Sequence, residues 1–340
     1  MAIILSVDAM SGDNGVNSTV PATLKFLKEN PDVKAILVGN KLSILAKYER
    51  DILIFSDRVE IEHADEVVAM DALPQVAMRI RNSSMRVAIN LVKDGRANAI
   101  ISAGNTGALM AISRYVLHTV DGIDRPAIAK IMPTITGEVC VLDLGASIDA
   151  TPEHLFQFAI MGSVIMSSVT NNKLPSIGLL NIGSEEIKGR EVIKETAIIL
   201  KNSNLNFYGN VEGNDINKGT VDVVVCDGFT GNVSLKTTEG VAKMISTFLK
   251  EEFTKSVMSK VMAILASPVL KRLKDRLDPR KYNGAILVGL NAIVIKSHGS
   301  ADEIAFYYAL SQAYHEASSD VITMLKTSIT HNITNISQKS

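Results

Sequence analysis

Apolar residues along this chain come in short unbroken runs, each closed by a turn of small polar residues. The runs are "AIILSV" before "DAMSGDNG", "ANAII" before "SAGNTG", "EVCVLDL" before "GASIDATPEHL", "SIGLL" before "NIGSEEIKG", "VDVVV" before "CDGFTGN" and "NAIVI" before "KSHGSADE". "VKAILVGN" is a further run with a weaker turn. Continuous rather than alternating apolar positions predict strands buried on both faces, the habit of a parallel sheet covered by helices. Helical spacing predicts helices over 23–29, 107–117, 152–169, 186–201, 234–250 and 302–326. Thr151 followed by Pro152 reads as an N-cap with proline at the first helical position.

These elements predict a doubly wound α/β fold with a mostly parallel sheet, in one large domain over residues 1–330. No linker, low-complexity segment or repeat interrupts it, and 331–340 reads as a polar tail that frays. Strand-end turns in such a sheet share one edge, and ligands sit in the crevice at the carboxyl ends of the strands. Six glycine-rich turns on one edge would make a site.

One stretch breaks the rhythm. In "FTKSVMSKVMAILASPVLKRLKDRL" the apolar positions 253, 257, 261 and 264, then 269 or 270, 273 and 277, fall at helical spacing. Lys255, Lys260, Lys271, Arg272, Lys274 and Arg276 flank that stripe. The pattern predicts an amphipathic helical hairpin over 253–278, with Pro268 separating two short helices. Its chemistry suits the surface of anionic lipid or the packing face of a dimer.

Composition narrows the function classes. Of 340 residues 46% are hydrophobic, enough for a large core, and 35 basic against 36 acidic residues leave a formal charge of -1. No global basic field draws in nucleic acid. The two cysteines, Cys140 and Cys226, lie inside apolar runs and predict a reducing, cytoplasmic setting. The opening "MAIILSVDAM" lacks a basic leader and reads as a first strand. The longest uncharged run, 155–172, contains Gln157, Ser163, Ser167 and Ser168. It falls short of the ~20 mostly apolar residues of a spanning helix and predicts a buried core helix.

The turns carry the chemistry. No dinucleotide fingerprint, P-loop, nucleophile elbow or zinc motif is present. What remains suits an anion. In "SAGNTG", Ser102, Gly104, Asn105, Thr106 and Gly107 would place backbone donors at a helix N-terminus. "CDGFTGN" offers Asp227, Gly228, Thr230, Gly231 and Asn232 in the same arrangement, and "NIGSEEIKG" adds the cation Lys188. "KSHGSAD" brings Lys296, His298 and Ser300, and the first turn brings Asp8, Gly12 and Asp13. Taken singly, each has an ordinary role. Asn105, Thr106 and Asn232 serve as helix caps, Lys188 as a solvated lysine, and His298 as a hydrogen-bonded turn residue. Cys226 is either a thiol nucleophile or a small buried hydrophobe. Asp8 and Asp13 lack a third ligand for a metal.

At the level of whole blocks the wording of the turns is that of a family. "VDAMSGDNG", "HADEVVAMD", "SSMRVAINLVKDGRANAIISAGNTGALM", "GIDRPAIA", "VLDLGASIDATPEHLFQFAIMG", "GLLNIGSEEIKG", "DVVVCDGFTGNVSLKTTEG" and "GLNAIVIKSHGSAD" resemble the PlsX family of phosphate acyltransferases. The resemblance runs from about residue 3 to about 325. Ser11 and Ser147 depart from it, standing where the family has Gly and Asn. It implies transfer of a long-chain fatty acyl group from acyl carrier protein to inorganic phosphate, giving acyl phosphate for phospholipid synthesis. It further implies a fold similar to isocitrate/isopropylmalate dehydrogenases and phosphate acetyltransferases, a homodimer, and no metal or organic cofactor. The family's catalytic lysine falls on Lys188 and its catalytic asparagine on Asn232. Phosphate and substrate would be held by Asp8, Gly12, Asp13, Ser102, Gly104, Asn105, Thr106, Gly107, Asp227, Gly228, Thr230, Gly231 and His298. Further implied contacts are the inner face of the membrane and the downstream glycerol-3-phosphate acyltransferase. An acidic carrier protein calls for a basic patch, either Arg79, Arg81, Arg86, Lys93 and Arg96 or the segment 271–281.

Overall fold

The structure, a computed structural model, describes residues 2–339. Its strands in chain order are β1 (Ile3–Asp8), β2 (Val33–Gly39), β3 (Val59–His63), β4 (Ala99–Ser102), β5 (Ala127–Pro133), β6 (Glu138–Leu142), β7 (Ile177–Leu180), β8 (Phe207–Val211), β9 (Val223–Val225), β10 (Ala285–Val288) and β11 (Ile293–Lys296). The first six helices are α1 (Val16–Glu29), α2 (Lys41–Leu53), α3 (Pro74–Ala77), α4 (Ser84–Lys93), α5 (Thr106–Leu117) and α6 (Pro152–Thr170). The rest are α7 (Glu191–Lys201), α8 (Gly213–Lys218), α9 (Gly228–Thr254), α10 (Val257–Leu277), α11 (Glu303–Ser318) and α12 (Val321–Lys339).

All eleven strands join one sheet in the order β3-β2-β1-β4-β11-β10-β5-β6-β9-β7-β8. Among the described residues seven strand pairs are parallel and three antiparallel, so the fold is doubly wound α/β with a mostly parallel sheet. The three antiparallel pairs are consecutive: β11–β10, β10–β5 and β5–β6. Each reverses direction, so β6, β9, β7 and β8 run opposite to β1, β2, β3, β4 and β11. The expectation of one shared edge for all strand-end turns is therefore corrected. Turns after β1, β4 and β11 lie on one edge, and turns after β6, β7 and β9 on the other.

Side chains alternate between the two faces. Leu5 and Val7, Ala99 and Ile101, and Ile293 and Ile295 join a core under α1, α6, α11 and α12. Ile100 and Val294 join a second core with α4 and α5, and Ile128, Val141 and Val224 a third, against which Leu235 of α9 packs. Met110 of α5 touches both of these, so α5 and the root of α9 share one face.

Several boundaries differ from expectation. Thr151 caps α6 as predicted, its hydroxyl accepting the His154 N–H at 3.3 Å. The helix foreseen from 186 starts only at Glu191, because Gly189 takes φ +91° and the Asn181 amide holds the Lys188 carbonyl at 3.0 Å. Lys188 sits in that loop. Pro268 lies inside α10 and does not split it. The tail expected to fray continues α12 through Lys339, since Val321, Leu325 and Ile329 dock beside α6; Ser340 lies outside the described residues.

Candidate active site

Three parallel neighbours end together. Asp8, Ser102 and Lys296 are the last residues of β1, β4 and β11, with Lys296 opposite Ser102 in register and Asp8 one place beyond the Val7–Ile101 pair. By the alternation of side chains all three project toward the α5 side of the sheet. The Ser102 hydroxyl donates to Asp8 Oδ2 at 2.6 Å and accepts the Gly104 N–H at 3.1 Å. Asp8 is fully buried, and its Oδ1 has no hydrogen-bond partner. Ser11 Oγ, buried in the same turn, has none either.

Lys296 is 9% exposed. Its ammonium donates to the carbonyls of Ala103, at 3.5 Å, and Ser297. Burial pushes its pKa down to about 8 against the pull of Asp8 and Asp13. A buried ammonium whose hydrogen bonds go only to carbonyls is costly, so an anion is a fitting further partner.

The first turn closes over this ledge. Gly12 takes φ +88°, and a Cβ there would lie 2.8 Å from Ala103 Cβ and 3.0 Å from the Gly299 carbonyl. The glycine is what allows the turns after β1, β4 and β11 to touch. Asp13 N–H reaches that same Gly299 carbonyl at 2.8 Å. His298 Nδ1 accepts the Ser300 N–H at 3.2 Å, which leaves its proton on Nε2 as a donor. Burial first, and then Lys236, hold its pKa below the usual imidazole range.

Residues at the mouth of α5 have a different part. The Asn105 carbonyl oxygen caps Ala108 N–H at 2.9 Å, and its amide ties down the carbonyls of Met70 and Ala72. Asn105 is thus a cap and a clasp. Thr106 and Gly107 form the first turn of α5 beside the ledge.

On the same face of the sheet runs α9. Lys236 pairs with Glu239 at 2.9 Å, and Glu239 also lies 3.7 Å from Lys130 in mid-β5. Lys130, lowered chiefly by burial, and Lys236 both act electrostatically on His298. Lys130 and Lys236 thus share the Glu239 carboxylate, and Lys236 also acts electrostatically on Lys296.

The remaining predicted residues gather on the other edge. Asp227 caps α9, accepting Thr230 N–H at 2.8 Å, and pairs with Arg190. Gly228 N–H donates to the Ser147 carbonyl at 2.8 Å, and Gly231 N–H to the Asp227 carbonyl at 2.9 Å. A Cβ on Gly231 would lie 1.9 Å from the Asp143 carbonyl, so that glycine answers to close packing. The amides of Gly228, Thr230 and Gly231 all have partners inside the fold. Asn232 donates its amide to the Leu144 carbonyl at 3.1 Å. Lys188 is 47% exposed and pairs with Glu185 at 3.3 Å. Within one protomer it does not meet residues 102–107. Cys226 is fully buried, and burial pushes its thiol pKa well up, so it supplies no thiolate.

With this geometry in hand, comparison with known proteins is direct. The model of the fatty acid synthesis protein family matches residues 3–324. The chain belongs to this family. A relative named phosphate acyltransferase, from Chromobacterium violaceum, is 56% identical over 339 residues, covering 99% of this chain and 98% of its own. The solved EutD phosphotransacetylase from Staphylococcus aureus superposes with a TM-score of 0.60 at 13% identity, over 93% of this chain and 94% of its own. A phosphotransacetylase from Streptococcus pyogenes gives 0.61 at 16%, over 93% and 94%. A 4-hydroxythreonine-4-phosphate dehydrogenase from Klebsiella pneumoniae gives 0.54 at 14%, over 93% and 100%. These likenesses establish the fold.

In this family member the sequence pattern left Lys130, Lys236 and Glu239 unnoticed. A signal was present: residues 232, 236 and 239 share one helix face, and Lys130 is a lone cation in the apolar run "AIAKIM".

Proposed function

We propose that this phosphate acyltransferase moves a long-chain fatty acyl group from acyl carrier protein to inorganic phosphate, releasing acyl phosphate for phospholipid synthesis. The observation that carries the reading is the buried Lys296 ammonium at the ends of three parallel strands, in register with Ser102 and followed in its turn by His298. That grouping suits a doubly charged oxyanion.

Phosphate is itself a competent nucleophile near neutral pH, and a thiolate is a tolerable leaving group. A phosphate oxygen attacks the thioester carbonyl, the C–O bond forms, and the C–S bond breaks. The departing thiolate takes up the proton that the phosphate brought. The protein has to hold the dianion, align the thioester and stabilise the oxyanion of the tetrahedral intermediate. Lys296, His298 and the first turn of α5 serve the first task. Asn232 and Lys188, on family resemblance, serve the last.

A homodimer reconciles Lys188 with this scheme. A two-fold axis can set the Lys188 edge of one copy against the ledge of the other, twice over. The apolar residues exposed along α9 and α10, among them Met244, Phe248, Val261 and Leu265, fit a peripheral membrane contact or the dimer itself. No single helix among the described residues is long and apolar enough to cross a membrane. For the acidic carrier, Arg79 and Arg81 are exposed on the segment that Asn105 clasps to the ledge, whereas Arg96 is paired with Glu60 and Glu62.

Mass-spectrometric detection of acyl phosphate from palmitoyl-carrier protein plus phosphate is the test, with palmitoyl-coenzyme A as a parallel donor. Acyl phosphate from the coenzyme A ester alone would reassign the donor. None from either would remove the reading.

A further inference from the structure

We propose that Asp8 is what distinguishes hydrogen phosphate from other dianions, its buried carboxylate accepting the anion's P–O–H hydrogen while Lys296 and His298 meet the charge. The inference rests on the reading of the ledge as the phosphate site. It starts from an oddity of charge. A cleft built only to attract a dianion would carry cations and N–H donors, yet a fully buried carboxylate stands among them. Asp8 is no remote bystander: it lies beside Ser102 in the sheet and acts electrostatically on Lys296.

Its two oxygens are unlike. Oδ2 is satisfied by the Ser102 hydroxyl at 2.6 Å, and that hydroxyl is fixed by the Gly104 N–H. Oδ1 has no partner, and neither has the buried Ser11 hydroxyl. A buried acceptor left unpaired is expensive, so this oxygen is set for a donor that arrives with a ligand. Ionised carboxylates only accept hydrogen bonds. An anion that binds against one must bring its own hydrogen.

Near neutral pH, hydrogen phosphate carries one hydrogen on a doubly charged tetrahedron, and arsenate does likewise. Sulfate has the same shape and charge but no hydrogen. Facing Asp8, sulfate would set oxygen lone pairs against oxygen lone pairs, a rejection built from repulsion rather than from shape. Lys296 alone would accept both.

Calorimetric titration of the full chain, without thioester, with sodium phosphate, arsenate and sulfate tests this. Arsenate should bind within about threefold of phosphate, and sulfate about 10²-fold more weakly. In Asp8→Asn, whose amide donates as well as accepts, the phosphate and sulfate affinities should converge to within about threefold. Sulfate binding the wild type as well as phosphate does would overturn the proposal, and so would discrimination that survives in the variant. If Asp8→Asn fails to melt cooperatively, the wild-type series decides alone. Binding of none of the three anions would also overturn it. Acyl phosphate production, measured separately, tells whether the acyltransferase reading survives that outcome.

Discussion

The Lys130 ammonium in the middle of β5 lies 3.7 Å from the Glu239 carboxylate, three turns into α9. This contact fastens the root of the long helix across the sheet and gives a largely buried lysine its counter-charge. Glu239→Ala should therefore lower stability by about 1–3 kcal/mol, leaving Lys130 without a partner. Replacing both residues by apolar ones, Lys130→Met with Glu239→Leu, should recover most of that loss. Chemical denaturation of the single and double variants measures the difference.

Lys296 sets a pH dependence for phosphate. Its pKa is pushed down to about 8, chiefly by burial, so its charge disappears as pH rises through that value. KM for phosphate should rise above about pH 8, by up to about tenfold per unit. Lys296→Arg keeps its charge and should flatten the profile. The effect on stability has the opposite sense. Between about pH 8 and the ordinary value of 10.5 the unfolded chain binds the proton that the folded chain has released, so Lys296 contributes a stability that rises with pH across that window.

Lys188→Ala and Asn232→Ala should each lower kcat by roughly 10² to 10³, the cost of losing an oxyanion donor. Because Lys188 and Lys296 lie on opposite edges, inactive Lys188→Ala and Lys296→Ala chains should complement one another in mixed dimers. Random mixing would restore about a quarter of wild-type activity, all of it in the heterodimer fraction. Verified heterodimers without activity would confine Lys188 to its own protomer. Cys226→Ser should retain most activity, as its buried thiol does not ionise.

Glu316 is fully buried on α11, where burial pushes its carboxyl up to about 7 and Gln312 donates to Oε1 at 2.7 Å. The folded state binds a proton here that the unfolded chain has lost. Stability from this group is therefore present below the unfolded value of 4.5 and fades as pH rises through about 7. Glu316→Gln should stabilise the fold on the order of 2–3 kcal/mol above neutral pH and hardly at all near pH 4. Melting curves at the two pH values check the sign.

Val261→Asp with Leu265→Asp should abolish flotation with liposomes containing anionic lipid, if the exposed apolar residues of α10 are what bind them. Flotation of the wild type with retention of the variant in the soluble fraction is the expected pair of results. Failure of both proteins to float would leave dimer packing as the hairpin's role.

Much of the sheet was legible because buried strands are unbroken apolar runs, and "ANAII", "VDVVV" and "NAIVI" all became strands. Their direction was not. A run as short as "AILV" in β10 reads the same whether its neighbours are parallel or antiparallel. The polarity reversal depends on how it pairs with β5 and β11, residues far away in sequence. The same limit hid how the candidate residues at the ends of β1, β4 and β11 meet. Lys296 reads from the sequence as a turn residue suited to an anion, together with His298 and Ser300. Its surroundings include the carbonyl of Ala103 and the charge of Asp8, neither of which is local. In "GFTGN" the pattern of an anion loop gave no sign of the close packing that requires Gly231, where a Cβ would meet the Asp143 carbonyl.

A helix of 27 residues is about 40 Å long, and α9 is one unbroken rod of that length. Asn232, Lys236 and Glu239 ride near its base, while its far end carries a bare greasy tip joined to α10 through a bend of 119°. A rod does not tilt at one end only. Whatever grips the tip, bilayer or sister chain, sets the angle at which those three side chains stand over the sheet.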